Sequence, residues 1–224
     1  MKQAFLAALL FSATAAPAAE PQLAAAFRAA FGKNGAVVLK KQGQLSENVK
    51  YTPGDLIDAP FGPVLLSPGE VLEPSHVNSG KFAIVYLTRT PKGFTVAKKS
   101  VPAIETGSFG KIVDWSVSRS FGELPVVTVN GAGNWQGYAC SIATLLELAP
   151  EGPRRLASIP MTYDNAGALG SGEKKLKQFS GRIDKMVPGK SFDVVYFGTK
   201  DFTDHYVRNG GSYVLAGKSK MQTC

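Results

Sequence analysis

Short runs of β-branched and aromatic residues, cut every ten or so positions by proline and glycine, leave this chain little choice but a sheet-rich fold. Val37, Val38, Val64, Val71, Val77, Val85 and Val96 recur in such runs. The clearest hairpin joins Phe82–Arg89 to Phe94–Ala97 through the turn Thr90-Pro91-Lys92-Gly93. Its first strand is apolar on both faces, which predicts a central position. Further strands are predicted over 111–118, 124–129, 138–148, 155–163, 179–184 and 192–197, and a last hairpin turns at Asn209-Gly210-Gly211 before Tyr213. No long helix separates them, so a parallel α/β fold is excluded in favour of a mainly β fold: an antiparallel sandwich, barrel or propeller-like sheet. One short helix precedes the strands, because Leu23, Phe27 and Phe31 fall at i, i+4, i+8 on an alanine background that stops near Gly32.

The first 18 residues have another character. Lys2 is followed by an apolar run and then Ala16-Pro17-Ala18, the pattern of a bacterial-type signal peptide cleaved after Ala18. The run is shorter than the roughly 20 residues of a transmembrane helix, and no later segment is long and apolar enough to span. No cysteine follows the cleavage position, so an N-terminal lipid anchor has no support. The expectation is an exported, periplasmic or secreted, soluble domain over 19–224. Phe82-Ala-Ile-Val-Tyr86 and Phe192-Asp-Val-Val-Tyr196 suggest two similar β-units within it, although the second carries an insertion at 199–205.

Export also bears on the two cysteines. In an oxidising compartment an even pair is predicted to bridge, so Cys140 and Cys224 form a disulfide that ties the C-terminal residue across a loop of more than 80 residues. Loop closure of that length stabilises a fold by about 4 kcal/mol in the chain-entropy picture. A catalytic thiol at Cys140 would need a nearby base, and none is adjacent.

The net charge is +8, or +7 once Lys2 leaves with the signal. Acidic partners suit such a chain: an anionic glycan, a lipid headgroup or an acidic protein, with intracellular nucleic acid out of reach. Solubility alone also explains a basic surface. The densest basic region, 173–190, holds Lys174, Lys175, Lys177, Arg182 and Lys185, and is predicted to flank a sheet edge, where charge also guards against aggregation. Within it, 166–177 has three glycines and three lysines and is predicted as a mobile surface loop.

Chemistry-bearing motifs are few. Asn130-Gly131-Ala-Gly133-Asn-Trp-Gln-Gly137 resembles a dinucleotide turn only superficially, since its spacing is off by one and β-formers follow it. It is better read as a glycine-rich loop presenting Trp135 between Asn134 and Gln136, where an exposed indole could stack on a sugar ring or anchor a protein, although a tryptophan in such a composition is more often partly buried core. His76 and His205, the only histidines, lack metal-ligand spacing, so no metal and no cofactor is expected. Asp201, Asp204 and His205 form a local acid and imidazole group that is either a site or a polar turn. No Gly-x-Ser-x-Gly elbow occurs. These features favour a non-catalytic exported binding or accessory protein for an anionic envelope component or a protein. The alternatives are an envelope hydrolase built on Asp201, Asp204 and His205, and a secreted enzyme inhibitor.

Overall fold

The structure, a computed structural model, describes residues 19–40, 46–171 and 175–224. The predicted signal segment lies outside these residues. Helix α1 (Ala19–Phe31) ends as Gly32 enters a left-handed φ of 71° and donates its N–H to Arg28 O at 2.9 Å. A mainly antiparallel β fold follows, as the strand grammar predicts.

The first sheet runs in the order β1 (Ala36–Leu39), β2 (Glu47–Tyr51), β4 (Gly62–Val71), β5 (Gly80–Thr90), β6 (Gly93–Thr106), with β3 (Asp55–Ala59) also paired to β4. The second is a meander of eight strands: β7 (Asp114–Ser118), β8 (Val126–Trp135), β9 (Tyr138–Ala149), β10 (Gly152–Asp164), β11 (Gln178–Val187), β12 (Ser191–Gly198), β13 (Phe202–Asn209) and β14 (Ser212–Leu215).

Strand β5 is an interior strand, between β4 and β6, and is buried on both faces over most of its length; its period of two assigns each face a partner. Ala83, Val85 and Leu87 pack with Phe27 and Ala30 of α1. Phe82, Ile84 and Tyr86 meet Val127, Val129, Leu146 and Leu148 of the second sheet, so the two sheets share one core. Beyond that core the second sheet curls into a half-barrel around Leu145, Leu156, Ile159, Phe192, Val194 and Tyr196. The segments Phe82–Tyr86 and Phe192–Tyr196 thus lie in different sheets.

The curl opens between β10 and β11, which pair only from Thr162↔Ser180 to Asp164↔Gln178. There Gly181 leaves room for the Tyr196 ring, whose hydroxyl donates to Pro160 O at 2.7 Å and replaces a lost ladder bond.

Burial sets the titration of four of the seven tyrosines. It pushes Tyr51, Tyr86 and Tyr196 well above the usual phenol range, with nearby carboxylates adding to the effect at Tyr51 and Tyr86. Tyr206 is raised to about 12, by burial first and by Asp204 second. A raised phenol pKa means that the native state keeps a proton that the unfolded chain releases near pH 10. The associated stability is complete below about pH 10 and is lost as pH climbs through the native values. Spectroscopic titration should show at least four tyrosines silent near pH 10, and the urea midpoint should fall between pH 9 and pH 11. Ionisation of all seven near pH 10 with the fold intact would contradict this burial.

Candidate binding pocket at the sheet junction

Trp135 sits at the end of β8, and the glycines before it are strand residues: the segment predicted as a loop is a strand as far as Trp135. The turn is only Gln136-Gly137, with φ of 51° and 85°, the doubly left-handed form that matches strand twist. The glycines are explained by close packing. A Cβ at Gly131 would overlap Thr106 Oγ1 and Gly107 N, where the end of β6 meets β8. One at Gly133 would overlap the indole of Trp135, which folds back over its own strand.

This junction holds a pocket of about 130 Å³. Its lining combines Trp135 and Ile142 with the hydroxyl residues Thr106, Ser141 and Thr162, and with Gln222, Thr223 and the disulfide. Among the described residues that line it, no side chain is titratable. The predicted Cys140–Cys224 bond is formed, with Cα atoms 6.1 Å apart. It brings the segment after β14 across to β9. That segment is also fixed by Ser219 Oγ donating to Asp204 Oδ2, by Met221 N donating to Ser219 Oγ at 2.8 Å, and by burial of Met221.

An aromatic rim continues outward from Trp135. His76 Nε2 lies 2.8 Å from Asn134 O; a carbonyl can only accept, so Nε2 carries the proton. The His76 ring meets Trp135 edge to face at 6.2 Å and Phe109 at 5.2 Å. Phe109 is 54% exposed and Trp135 41%, against the usual preference for covering aromatic surface. Phe109 also has a φ of 52°, a left-handed backbone that bulky residues rarely adopt. Adjacent bonds hold it there: Gly110 N to Asn78 O at 2.8 Å and Val71 N to Gly110 O at 3.1 Å.

The rim is moored to a buried ion cluster. Asn78 Nδ2 donates to Glu47 Oε1 at 2.7 Å, and Lys81 Nζ, with a fully buried side chain, lies 2.9 Å from both Glu47 Oε2 and Glu105 Oε2. Asn78 Oδ1 in turn accepts from Ser75 N at 2.7 Å. A continuous set of polar contacts therefore links the interior of the first sheet to the loops carrying His76 and Phe109.

The other candidates predicted from sequence lie elsewhere. Lys174 is outside the described residues. Lys175 and Lys177 are in the 166–177 segment, whose described parts are anchored: buried Asn165 donates to Lys175 O at 2.9 Å and accepts from Lys177 N at 2.7 Å. Gly137 packs against Gly167, so this segment buttresses the Trp135 hairpin. Arg182 lies on β11, beyond the three residues by which that strand pairs with β10, so at this position the strand is paired on one side only, with Val195 of β12. It pairs with Asp184 at 3.1 Å, and Lys185 with Asp193 at 3.6 Å. The Asp184 carboxyl is held below the usual range, first by the N–H of Lys185 and then by Arg182. An anionic partner would therefore compete with these carboxylates at Arg182 and Lys185.

Strand alternation separates Asp204 from His205, and Asp201 precedes the strand. Asp204 is buried and bonded to Ser219, whereas His205 is half exposed and pairs across strands with Asp193, Nδ1 to Oδ1 at 2.7 Å. Asp201 accepts from Gly198 N at 3.2 Å in the turn before β13. Among the described residues no group of three or more His, Cys, Asp or Glu side chains is placed to hold a metal ion, and no helix is long and apolar enough to cross a membrane.

Sequence reasoning missed His76, Phe109 and Lys81 as parts of one region. Positions 76 and 109 lie in loops after β4 and β6 and 135 at the end of β8, and no local pattern encodes their meeting. No protein family, curated protein or solved structure matches the chain.

Proposed function

We propose that this chain is an exported, non-catalytic binding protein and that its ligand site is the junction pocket beneath Trp135. One observation carries the reading: an aromatic and hydroxyl lining, held by a disulfide, with no titratable side chain among the described residues that form it. Such a lining can orient a small ring-containing molecule, but it holds no side chain suited to general acid or base chemistry or to activating a nucleophile. The N-terminal signal pattern and the disulfide support export.

Ligand-observed NMR tests this with a panel of uncharged sugars, acidic sugars and simple aromatic rings, run against the native protein and Trp135→Ala. Because Trp135 is 41% exposed, its loss should leave the fold intact. The expected result is a set of binders that lose at least tenfold in affinity in the variant, about 1.4 kcal/mol, and that are recovered chemically unchanged after prolonged incubation. Binding that is indifferent to Trp135, or steady conversion of a bound compound, would overturn the proposal.

A further inference from the structure

We propose that the pocket receives one terminal ring of an uncharged glycan chain and that the following rings lie along the rim formed by Trp135, His76 and Phe109; this rests on the binding reading above. Size is the first argument. A cavity of about 150 Å³ accommodates a benzene ring, so the 130 Å³ here has room for no more than one six-membered ring. A longer ligand has to leave across the surface.

The lining chemistry narrows the class of ring. A sugar presents an apolar C–H face and a belt of hydroxyls, and the pocket offers an indole together with Thr106, Thr223, Gln222, Ser141 and Thr162. Ser141 Oγ and Thr162 Oγ1 are bonded to each other at 2.8 Å, and either can be the donor, so the pair can both give and take a hydrogen bond with a ligand hydroxyl. A purely apolar ring would desolvate these groups without pairing them. A carboxylated or sulfated ring would meet no cationic side chain in the lining.

The rim supplies the direction of the chain. Phe109 gains little from packing at 54% exposure, yet it is held in an unfavourable backbone conformation beside His76. Ring centroids follow one another at 6.2 and 5.2 Å, a spacing comparable to that of linked sugar rings. Val77, 83% exposed, extends the apolar surface on the same loop as His76.

Isothermal titration with cello- and chito-oligosaccharides of one to five rings, alongside oligogalacturonates and indole, separates the possibilities. Binding to at least one of the two neutral series should tighten tenfold or more between one and three rings and then level off. Phe109→Gly, which accommodates the left-handed φ without cost, should abolish that gain and leave single-ring affinity within twofold; Trp135→Ala should weaken both. Affinity independent of chain length, a gain that survives Phe109→Gly, or preference for oligogalacturonates would overturn the inference. If indole binds in a Trp135-dependent way and neither neutral series does, the glycan inference fails and the pocket reading stands. If no probe of any class binds through Trp135, both fail.

Discussion

Lys81→Met should lower the free energy of unfolding by about 3–5 kcal/mol, the usual consequence of removing one partner from a buried ion group. Lys81 is fully buried and faces two carboxylates at 2.9 Å, with the Glu47 side chain only 11% exposed. Methionine fills most of the lysine volume, so the loss is electrostatic and not a cavity effect. It takes the Lys81 cation away from the largely buried Glu47 carboxylate, which also acts on the buried Tyr51. Glu105→Gln should cost much less, because the Glu105 side chain is 33% exposed and Lys81 retains Glu47. Urea unfolding of both variants checks the order. A Lys81→Met loss under about 1 kcal/mol would mean that the carboxylates are relieved by protonation or water. The same variant should disturb the aromatic rim, because Glu47 also holds Asn78. Asn78→Ala cuts that link alone, and comparing the two separates loss of stability from loss of rim geometry.

The fold was legible in the sequence wherever side-chain period and turn chemistry agreed. The hairpin at Thr90-Pro91-Lys92-Gly93 and the one turning after Asn209 close at their expected positions, with Thr90 opposite Gly93 and Asn209 opposite Ser212. The disulfide followed from the even cysteine count and the export expected from the N-terminal pattern. Gly131 and Gly133 misled because glycine disfavours strands in general, whereas here its missing Cβ is what lets β6 and the Trp135 indole lie against β8. Asp204 and His205 look like a cluster only until the strand is extended back to Phe202, after which adjacent residues must face opposite sides. Lys81 is opaque for a related reason. One position before an apolar run it reads as a solvated flank, and only the register with Glu105 and the proximity of Glu47 show that its charge lies inside. The pocket was the least legible part, since its lining draws on positions 106–107, 131–142, 160–162 and 222–224.

The Cys140→Ala/Cys224→Ala double variant should lose about 4 kcal/mol of stability, because the bond closes a span of 84 residues and that loop entropy returns to the unfolded chain. With m about 2–3 kcal/mol/M for urea, the midpoint should fall by roughly 1.3–2 M. The slope itself should rise slightly, since an unfolded chain without the cross-link exposes more surface. The native tail has independent anchors in Met221, which is buried against the half-barrel, and in Ser219, which is bonded to Asp204. It should therefore stay docked as far as Met221, while Gln222, Thr223 and residue 224 leave the pocket wall. The pocket then loses one side while Trp135 and the rim keep their places. Any ligand that depends on Trp135 should bind more weakly to the double variant even in the absence of denaturant, under conditions where both proteins are fully folded. Trp115 is bonded to Asp55 at 2.8 Å, so Trp115→Phe in both backgrounds isolates the emission of Trp135 as a probe of that wall. An unchanged Trp135 spectrum together with unchanged ligand affinity would show that the disulfide serves stability alone and that residues 222–224 contribute nothing to the site.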